Sequence, residues 1–210
     1  MIYIFAVTIL YGLLPFLLIV FDKRVRNIES FYPFIFVVFI ASLYEFIFSM
    51  IVKVNVENWF FVYGILAFIG IHYFFYNLLY KKFKSLFIVS IFVFLVFSIL
   101  AFIYRISFDY LTISAFFKVY QTIIILIFSI LWFRRMFEEL ETDDLLKNSN
   151  FYFISGLIIY YCGSVFLYLL ANYIYASDKS NFQYYWLLNI ILNLILRTLI
   201  IIGIWKARLK

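Results

Sequence analysis

The stretch SLFIVSIFVFLVFSILAFIY (85–104) runs for twenty residues without a charged side chain. About 20 predominantly apolar residues are what an α-helix needs to cross a bilayer. The stretch is continuously apolar, whereas a strand of a membrane β-barrel alternates between apolar and polar residues. Since backbone polar groups in lipid must be satisfied within the protein, the stretch predicts a transmembrane helix.

Dividing the rest of the chain at its charged residues gives six further apolar segments of similar length. The seven predicted helices cover residues 2–21, 31–52, 59–80, 85–104, 110–133, 151–175 and 184–205. Of the 210 residues, 68% are hydrophobic and only 13% are charged, against about 25% charged in a soluble domain. We therefore predict an all-α fold, a single transmembrane domain (1–210) built as an integral membrane bundle of seven helices.

The basic residues alternate from loop to loop. The first, third and fifth loops and the C-terminal tail hold three each, and the second, fourth and sixth loops hold one each: Lys23, Arg24, Arg26; Lys81, Lys82, Lys84; Arg134, Arg135, Lys147; Lys206, Arg208, Lys210; then Lys53, Arg105, Lys179. Cytoplasmic loops carry the excess of Lys and Arg. This alternation predicts that the N-terminus lies outside and the C-terminus lies in the cytoplasm.

Ionisable side chains within the predicted spans are the first functional candidates, because a charge in the hydrocarbon is costly. Glu45 and Lys118 both lie roughly 11–12 Å below the outer boundary at 1.5 Å per residue. This common depth predicts a buried ion pair between the second and fifth predicted helices, with Gln121 one turn along from Lys118. The pair would hold the helices together or serve a ligand or a proton; the alternative is no contact between the two residues.

The last predicted helix carries Asn189, Asn193 and Arg197 at intervals of four, which makes one polar stripe. Such a stripe must face the bundle interior or a water-filled cavity. Hydrogen bonds between helices would explain the asparagines, whereas Arg197 favours a functional cavity. His72 is expected to be neutral and hydrogen-bonded to its neighbours. With one histidine and no ligand cluster around it, we expect neither a metal site nor a cofactor.

The sixth predicted helix carries Gly156 and Gly163 seven residues apart, and therefore on one face of the helix. Small residues let helix backbones approach closely in a membrane, where lipid tails are as apolar as the side chains. We expect this face to pack against a neighbouring helix.

The longest loop is Arg134–Asn150, which contains RRMFEELETDDLLK. Apolar residues before and within it fall at helical spacing, so we expect the fifth predicted helix to continue into the cytoplasm. Its acidic face is a candidate docking surface for a basic partner, and a solvated helix end is the plainer interpretation. The acidic residues are Glu138, Glu139, Glu141, Asp143 and Asp144.

The formal net charge of +6 arises on the cytoplasmic side of the predicted topology, where basic loops face anionic lipid. The lipid bilayer is therefore the expected partner of these charges. No basic stripe also carries exposed stacking aromatic residues, so we expect no direct contact with nucleic acid.

Two kinds of function remain. The first is a non-enzymatic sensory, regulatory or accessory module that acts through a cytoplasmic protein partner, since the chain shows neither a catalytic set nor a soluble output domain. The second is a small channel or carrier with a polar path formed by the second, fifth and seventh predicted helices. That path would be lined by Glu45, Lys118, Asn189, Asn193 and Arg197. Whether the protein forms a homo-oligomer is left open by the sequence.

The stretches NFYFISGLIIYYCGSVFLYLLANYIY (150–175) and YWLLNIILNLILRTLIIIGIW (185–205) resemble the last two helices of a group of small seven-helix proteins of Bacteroidota-type bacteria. Glu45 in SLYEF is also similar to a glutamate typical of the second helix of that group, whereas Lys118 departs from its pattern. The resemblance implies a multi-pass protein of the bacterial cytoplasmic membrane, and it implies no activity. In size and hydrophobicity the chain is also similar to the membrane accessory proteins encoded beside RNA-targeting type VI-B CRISPR effectors.

Overall fold

A computed structural model describes residues 2–21, 28–52, 57–103, 110–139, 145–177 and 182–208, which are helical apart from short turns. Six α-helices are defined in these ranges: α1 Ile2–Phe21, α2 Tyr32–Tyr44, α3 Glu57–Ile103, α4 Tyr110–Glu139, α5 Ser149–Ser177 and α6 Phe182–Arg208. A π-helix, Glu45–Val52, continues α2, and a short 3-10 helix, Leu145–Lys147, precedes α5.

Five segments of these helices are long and apolar enough to cross a membrane: Trp59–Leu79, Lys82–Ile103, Tyr110–Glu138, Ser149–Ser177 and Tyr184–Arg208. Two shorter apolar stretches, Val7–Phe21 and Tyr32–Phe48, complete the described set. The all-helical fold is therefore confirmed for the described residues, and the five long apolar helices support a membrane protein. The predicted extension of the fifth helix is also confirmed, because α4 continues to Glu139.

The third and fourth predicted helices, 59–80 and 85–104, are both present, and they meet at a kink where a loop at Lys81–Lys84 was expected. Only Phe83 leaves the helical conformation, with φ −130° and ψ 34°, and it divides α3 into a first arm (Trp59–Leu79) and a second arm (Lys82–Ile103). The connecting KKFK sequence has neither glycine nor proline, and lysine is a good helix former. A single distorted residue is therefore enough to change the chain direction.

The helices close into a ring in which each is packed against the next, and α6 returns to α1. At one end, the kink end, Phe16 contacts Tyr32 across α1 and α2, and Lys82 contacts Glu138 across α3 and α4. At the opposite end, the cavity end, Tyr44 stacks on Trp59 with ring centroids 4.2 Å apart. The second arm of α3 lies outside the ring, against the first arm and α4.

Polarity is distributed in the inverse of a soluble protein. The second arm of α3 leaves Phe92 67% exposed and Phe102 63% exposed, while Arg197 is 4% exposed and Lys118 is 6% exposed. A soluble monomer rarely exposes large contiguous apolar patches, and it almost never buries such charges. An apolar outer surface, with the few charged side chains turned inward, is the arrangement that lipid favours.

Seven phenylalanine side chains fill the interior near the kink end, and each is at most 1% exposed. We call this set the phenylalanine cluster; it consists of Phe31, Phe34, Phe74, Phe75, Phe87, Phe128 and Phe153. Every ring contacts another member, for example Phe31 and Phe153, which stack with centroids 4.3 Å apart. The cluster joins α2, both arms of α3, α4 and α5 into one packed core.

Candidate functional site

A cavity of about 120 Å³ lies inside the helix ring, between the phenylalanine cluster and the cavity end. Five elements line it: α1, α2 with its π-helix, the first arm of α3, α5 and α6. A single buried water needs roughly 10–15 Å³ of such space. The cavity therefore has room for on the order of ten water-sized groups.

One wall is the polar stripe of α6. Asn189, Asn193 and Arg197 all line the cavity, together with the apolar Ile190 and Leu196. Because these residues are spaced by roughly one turn, a single helix face supplies all three polar side chains. The sequence predicted that the stripe faces either the bundle interior or a water-filled cavity. In the structure it lines a cavity.

Arg197 is held against α1 at the deep side of the cavity. Its Nη1 atom donates a hydrogen bond to the carbonyl oxygen of Thr8. A Cβ atom at Gly12 would overlap both the Arg197 guanidinium and the Ser42 hydroxyl, so the missing side chain at Gly12 makes the space that Arg197 occupies. Arg197 Nε is buried and has no hydrogen-bond partner within the described part of the protein.

Glu45 is the first residue of the π-helix, and its side chain lines the same cavity. Its electrostatic partner is Arg197, and the two do not form a direct ion pair in the described part of the chain. Helical segments of the π type are rare and often occur at functional sites. No feature of the sequence had indicated this one.

The predicted ion pair between Glu45 and Lys118 is wrong in this structure. The Lys118 ammonium lies instead over three tyrosine rings, with Nζ 3.6 Å from the centroid of Tyr160, 3.9 Å from Tyr161 and 5.1 Å from Tyr168. A cation is attracted to the negative face of an aromatic ring, and most strongly when it is desolvated. Glu45 and Lys118 lie at a similar depth, but their helices are not neighbours, because α3 lies between α2 and α4 in the ring.

Lys118 and Gln121 line a smaller cavity of about 30 Å³ that lies beside the larger one. Gln121 is fixed there, since its Nε2 donates a 2.6 Å hydrogen bond to the carbonyl of Gly64. Tyr160 and Tyr168 line both cavities and separate Lys118 from Arg197. Lys118 and Gln121 therefore support the wall of the larger cavity from behind.

His72 lies away from the cavity, within the phenylalanine cluster. Its Nε2 is 2.8 Å from the Ser90 hydroxyl, and that hydroxyl donates to the carbonyl of Phe87. The ring packs edge-on against Phe87 and Phe128. This hydrogen-bonded histidine connects the two arms of α3, and the residues that it contacts in the described part of the chain do not line the cavity.

Aromatic residues supply much of the cavity wall, and the sequence analysis did not select them. Trp59 and Tyr63 come from α3, Tyr160 and Tyr168 from α5, and Trp186 from α6. Tyr168 lies within electrostatic reach of Asn189 and Tyr160. With 30 Phe and 19 Tyr in the chain, composition alone could not distinguish these five residues from the others.

The predicted acidic docking surface is only partly described. Glu138 forms ion pairs with Lys82 at 3.2 Å and with Arg134 at 2.7 Å, so its carboxylate already has partners within the chain. Glu139 is the last residue of α4. Glu141, Asp143 and Asp144 lie outside the described residues.

Comparison of the chain with protein-family models, with curated proteins and with solved structures gives no match. Among the described residues, no group of three or more His, Cys, Asp or Glu side chains could hold a metal ion. The described residues that line the cavity bring several kinds of polar and aromatic group together. These offer one guanidinium, one carboxylate, two carboxamides and a set of aromatic rings.

Proposed function

We propose that this protein is a non-enzymatic membrane receptor that binds a small polar molecule within the bilayer and reports it to a cytoplasmic partner. The observation that carries the proposal is the cavity lined by Arg197, Glu45, Asn189 and Asn193. Charged side chains inside a membrane protein are costly, and they mark binding sites, ion paths or proton paths. A cavity with a few convergent polar groups and aromatic walls is the usual form of a small-molecule site.

The proposal includes seven crossings of the bacterial cytoplasmic membrane, with the N-terminus outside. Under this topology the cavity end faces outward and the kink end faces the cytoplasm. The kink end carries Lys82, Arg134, Arg135 and Lys206, which agrees with the positive-inside rule.

The phenylalanine cluster favours a receptor over a channel or carrier. Its seven rings, each at most 1% exposed, fill the interior between the cavity and the kink end. A transported solute would have to displace rings that are packed in direct contact with one another. Access to the cavity from one side of the membrane is what a receptor needs.

The fourth helix gives such a receptor a route to the cytoplasm. Near one end of α4, Lys118 contacts Tyr160 and Tyr168, both of which line the cavity. At its other end α4 extends to Glu139 and leaves Phe137 63% exposed. A ligand that displaces Tyr160 and Tyr168 would therefore move Lys118 and α4. The far end of α4 is the surface that we assign to the partner.

Access to the cavity can be tested by labelling single cysteines. In a Cys162→Ala background, Asn193→Cys is exposed to a membrane-impermeant, positively charged methanethiosulfonate reagent in right-side-out and inside-out vesicles. We expect labelling from the outside only. The matched control is Ile191→Cys, two residues away and 45% exposed on the apolar surface, where lipid excludes the reagent from both sides.

A second variant fixes the orientation in the same experiment. Phe137→Cys should be labelled only in inside-out vesicles, because it lies at the cytoplasmic end of α4. Labelling of Asn193→Cys from both sides would contradict the receptor proposal and favour a carrier or channel. Labelling of Phe137→Cys from the outside would reverse the assigned topology.

A further inference from the structure

The cavity holds one acid and one base that are close but not in contact. Glu45 and Arg197 interact electrostatically, and among the described residues neither forms a direct ion pair. Two opposite charges in a low-dielectric site attract each other strongly. Side chains that nonetheless remain apart leave space in which a ligand with the opposite pair of charges would fit.

The positions of Arg197 and Glu45 along the helix axis can be compared through Ser42. The Arg197 guanidinium and the Ser42 hydroxyl meet at the position that a Cβ of Gly12 would occupy, so they are neighbours. Glu45 follows Ser42 by three residues, which is roughly one helical turn or about 5 Å along the axis. This is the scale of a small molecule that carries an anionic group and a cationic group a few bonds apart.

Two residues that line the cavity each have a buried polar atom without a hydrogen-bond partner among the described residues. Arg197 Nε is a buried donor without a partner, and Asn189 Oδ1 is a buried acceptor without one. Arg197 is 4% exposed and Asn189 is 7% exposed. Buried polar atoms are almost always hydrogen-bonded, but neither atom is open to the cavity as it stands, so a ligand with an acceptor for Arg197 and an N–H donor for Asn189 would pair them only after a side-chain rearrangement.

Aromatic rings on the wall suit the positive end of the same ligand. Trp59 and Trp186 line the cavity together with Glu45, and Tyr63 lies within electrostatic reach of both Glu45 and Arg197. An ammonium group gains from a tryptophan or tyrosine face as well as from a carboxylate.

We infer that the ligand is a small zwitterion of the α-amino-acid class, with its carboxylate on Arg197 and its ammonium between Glu45, Asn189 and the aromatic wall. A cavity of about 120 Å³ has space for on the order of ten water-sized groups, which suits such a molecule. The inference rests on the proposed function, since it names the ligand of the same cavity. The headgroup of phosphatidylethanolamine carries the same chemistry, and the experiment separates the two sources.

The test uses the full chain in detergent and its intrinsic tryptophan fluorescence, to which Trp59 and Trp186 contribute from the cavity wall. The probes are L-alanine, propionate, which lacks the ammonium, and ethylammonium, which lacks the carboxylate. We expect a saturable change with L-alanine and at least about tenfold weaker binding of both half-ligands, since each leaves a charged group unpaired. Trp205→Phe, at an exposed position outside the cavity, should keep the response.

The Glu45→Gln variant makes the test sharper, because we expect the affinities for L-alanine and for propionate to change differently. L-alanine should bind about tenfold or more weakly to this variant, while propionate should bind at least as well as it does to the natural chain. Equal affinity for L-alanine and either half-ligand, or no saturable response to L-alanine, would overturn the inference. If the variant does not fold, the three probes on the natural chain decide alone.

The source of the zwitterion is settled in nanodiscs. L-alanine is titrated into protein in phosphatidylglycerol alone and in a mixture with phosphatidylethanolamine. Weaker apparent binding in the mixture supports the inference with the lipid headgroup as the ligand, and unchanged binding supports it with the free amino acid. Two-sided labelling of Asn193→Cys would reject the receptor and leave zwitterion binding intact, so the two failures are distinguishable.

Discussion

The two halves of the bundle solve the same packing problem in opposite ways. Near the kink end, seven phenylalanine rings fill the interior without any charged side chain among them. Toward the cavity end, the same helices enclose Arg197, Glu45 and Asn189 around a space of about 120 Å³. The first arrangement provides stability, while the second retains buried polar atoms that lack partners in the described protein.

This difference teaches how a small membrane protein can be stable and still hold a site. Buried unsatisfied polar atoms cost free energy, so they persist only where the rest of the structure is stable enough. Here the phenylalanine cluster lies in one half, and the buried Arg197 with the cavity lies in the other. Substitutions in the two halves should consequently have different consequences, and four predictions test this separation.

The largest effect is expected from Phe153→Ala in the phenylalanine cluster. Phe153 is 0% exposed, stacks on Phe31 and occupies the space beside Gly203. Its loss should lower the free energy of unfolding by about 3 kcal/mol or more through cavity formation and lost contacts. Thermal unfolding in detergent measures the change. Phe92→Ala, at a position 67% exposed, is the control and should cost far less.

A smaller effect is expected where two helix backbones approach within the same half. A Cβ at Gly70 would lie 2.9 Å from the Phe34 Cα, which belongs to the backbone of α2 and cannot move alone. Gly70→Ala should therefore destabilise the protein by about 1–3 kcal/mol. Gly64→Ala on the same helix meets its nearest atom at 3.7 Å, and should be neutral or slightly stabilising. Equal melting temperatures of the two variants would contradict the close approach.

In the cavity half the test is the coupling between charges. Glu45→Gln and Arg197→Gln should be non-additive by about 1–2 kcal/mol, because each single change leaves one buried charge without its partner. Glu45→Gln and Lys118→Met should be additive, since Lys118 is held by tyrosine rings instead. Both double-mutant cycles are measured by unfolding in the same detergent. Coupling between Glu45 and Lys118, without coupling between Glu45 and Arg197, would support the Glu45–Lys118 ion pair that their common depth predicted.

Much of this fold could be predicted because hydrophobicity along the chain is a local property. The predicted first helix, 2–21, agrees with α1, and the spacing of Gly156 and Gly163 correctly predicted a close contact, which they make with Leu196 and Leu192 of α6. The predicted helices 59–80 and 85–104 correspond to the two arms of α3, but the tight kink between them was not predicted, because lysines that interrupt an apolar run do not show how sharply the chain turns there.

The candidate site was less predictable, since it depends on which helices are neighbours. The Asn189 and Arg197 stripe could be selected from its spacing on one helix. The partner of Glu45 could not be predicted from the sequence. The position of a residue along its helix gives its depth, but which side chains meet also depends on the order of the helices around the ring. The aromatic wall has the same origin: Trp59 and Trp186 differ from other aromatic residues only by position.

The smallest effect is expected at the surface of the kink end. Glu138 accepts hydrogen bonds from Lys82 and Arg134, but all three side chains are exposed, so water and salt screen the pairs. Glu138→Gln should leave the melting temperature unchanged within error at physiological salt. A marked loss of stability would mean that the contact between α3 and α4 at this end depends on charge. In that case the kink end would not be stabilised by its phenylalanine cluster alone, and the contrast between the two halves would be weaker than their side chains indicate.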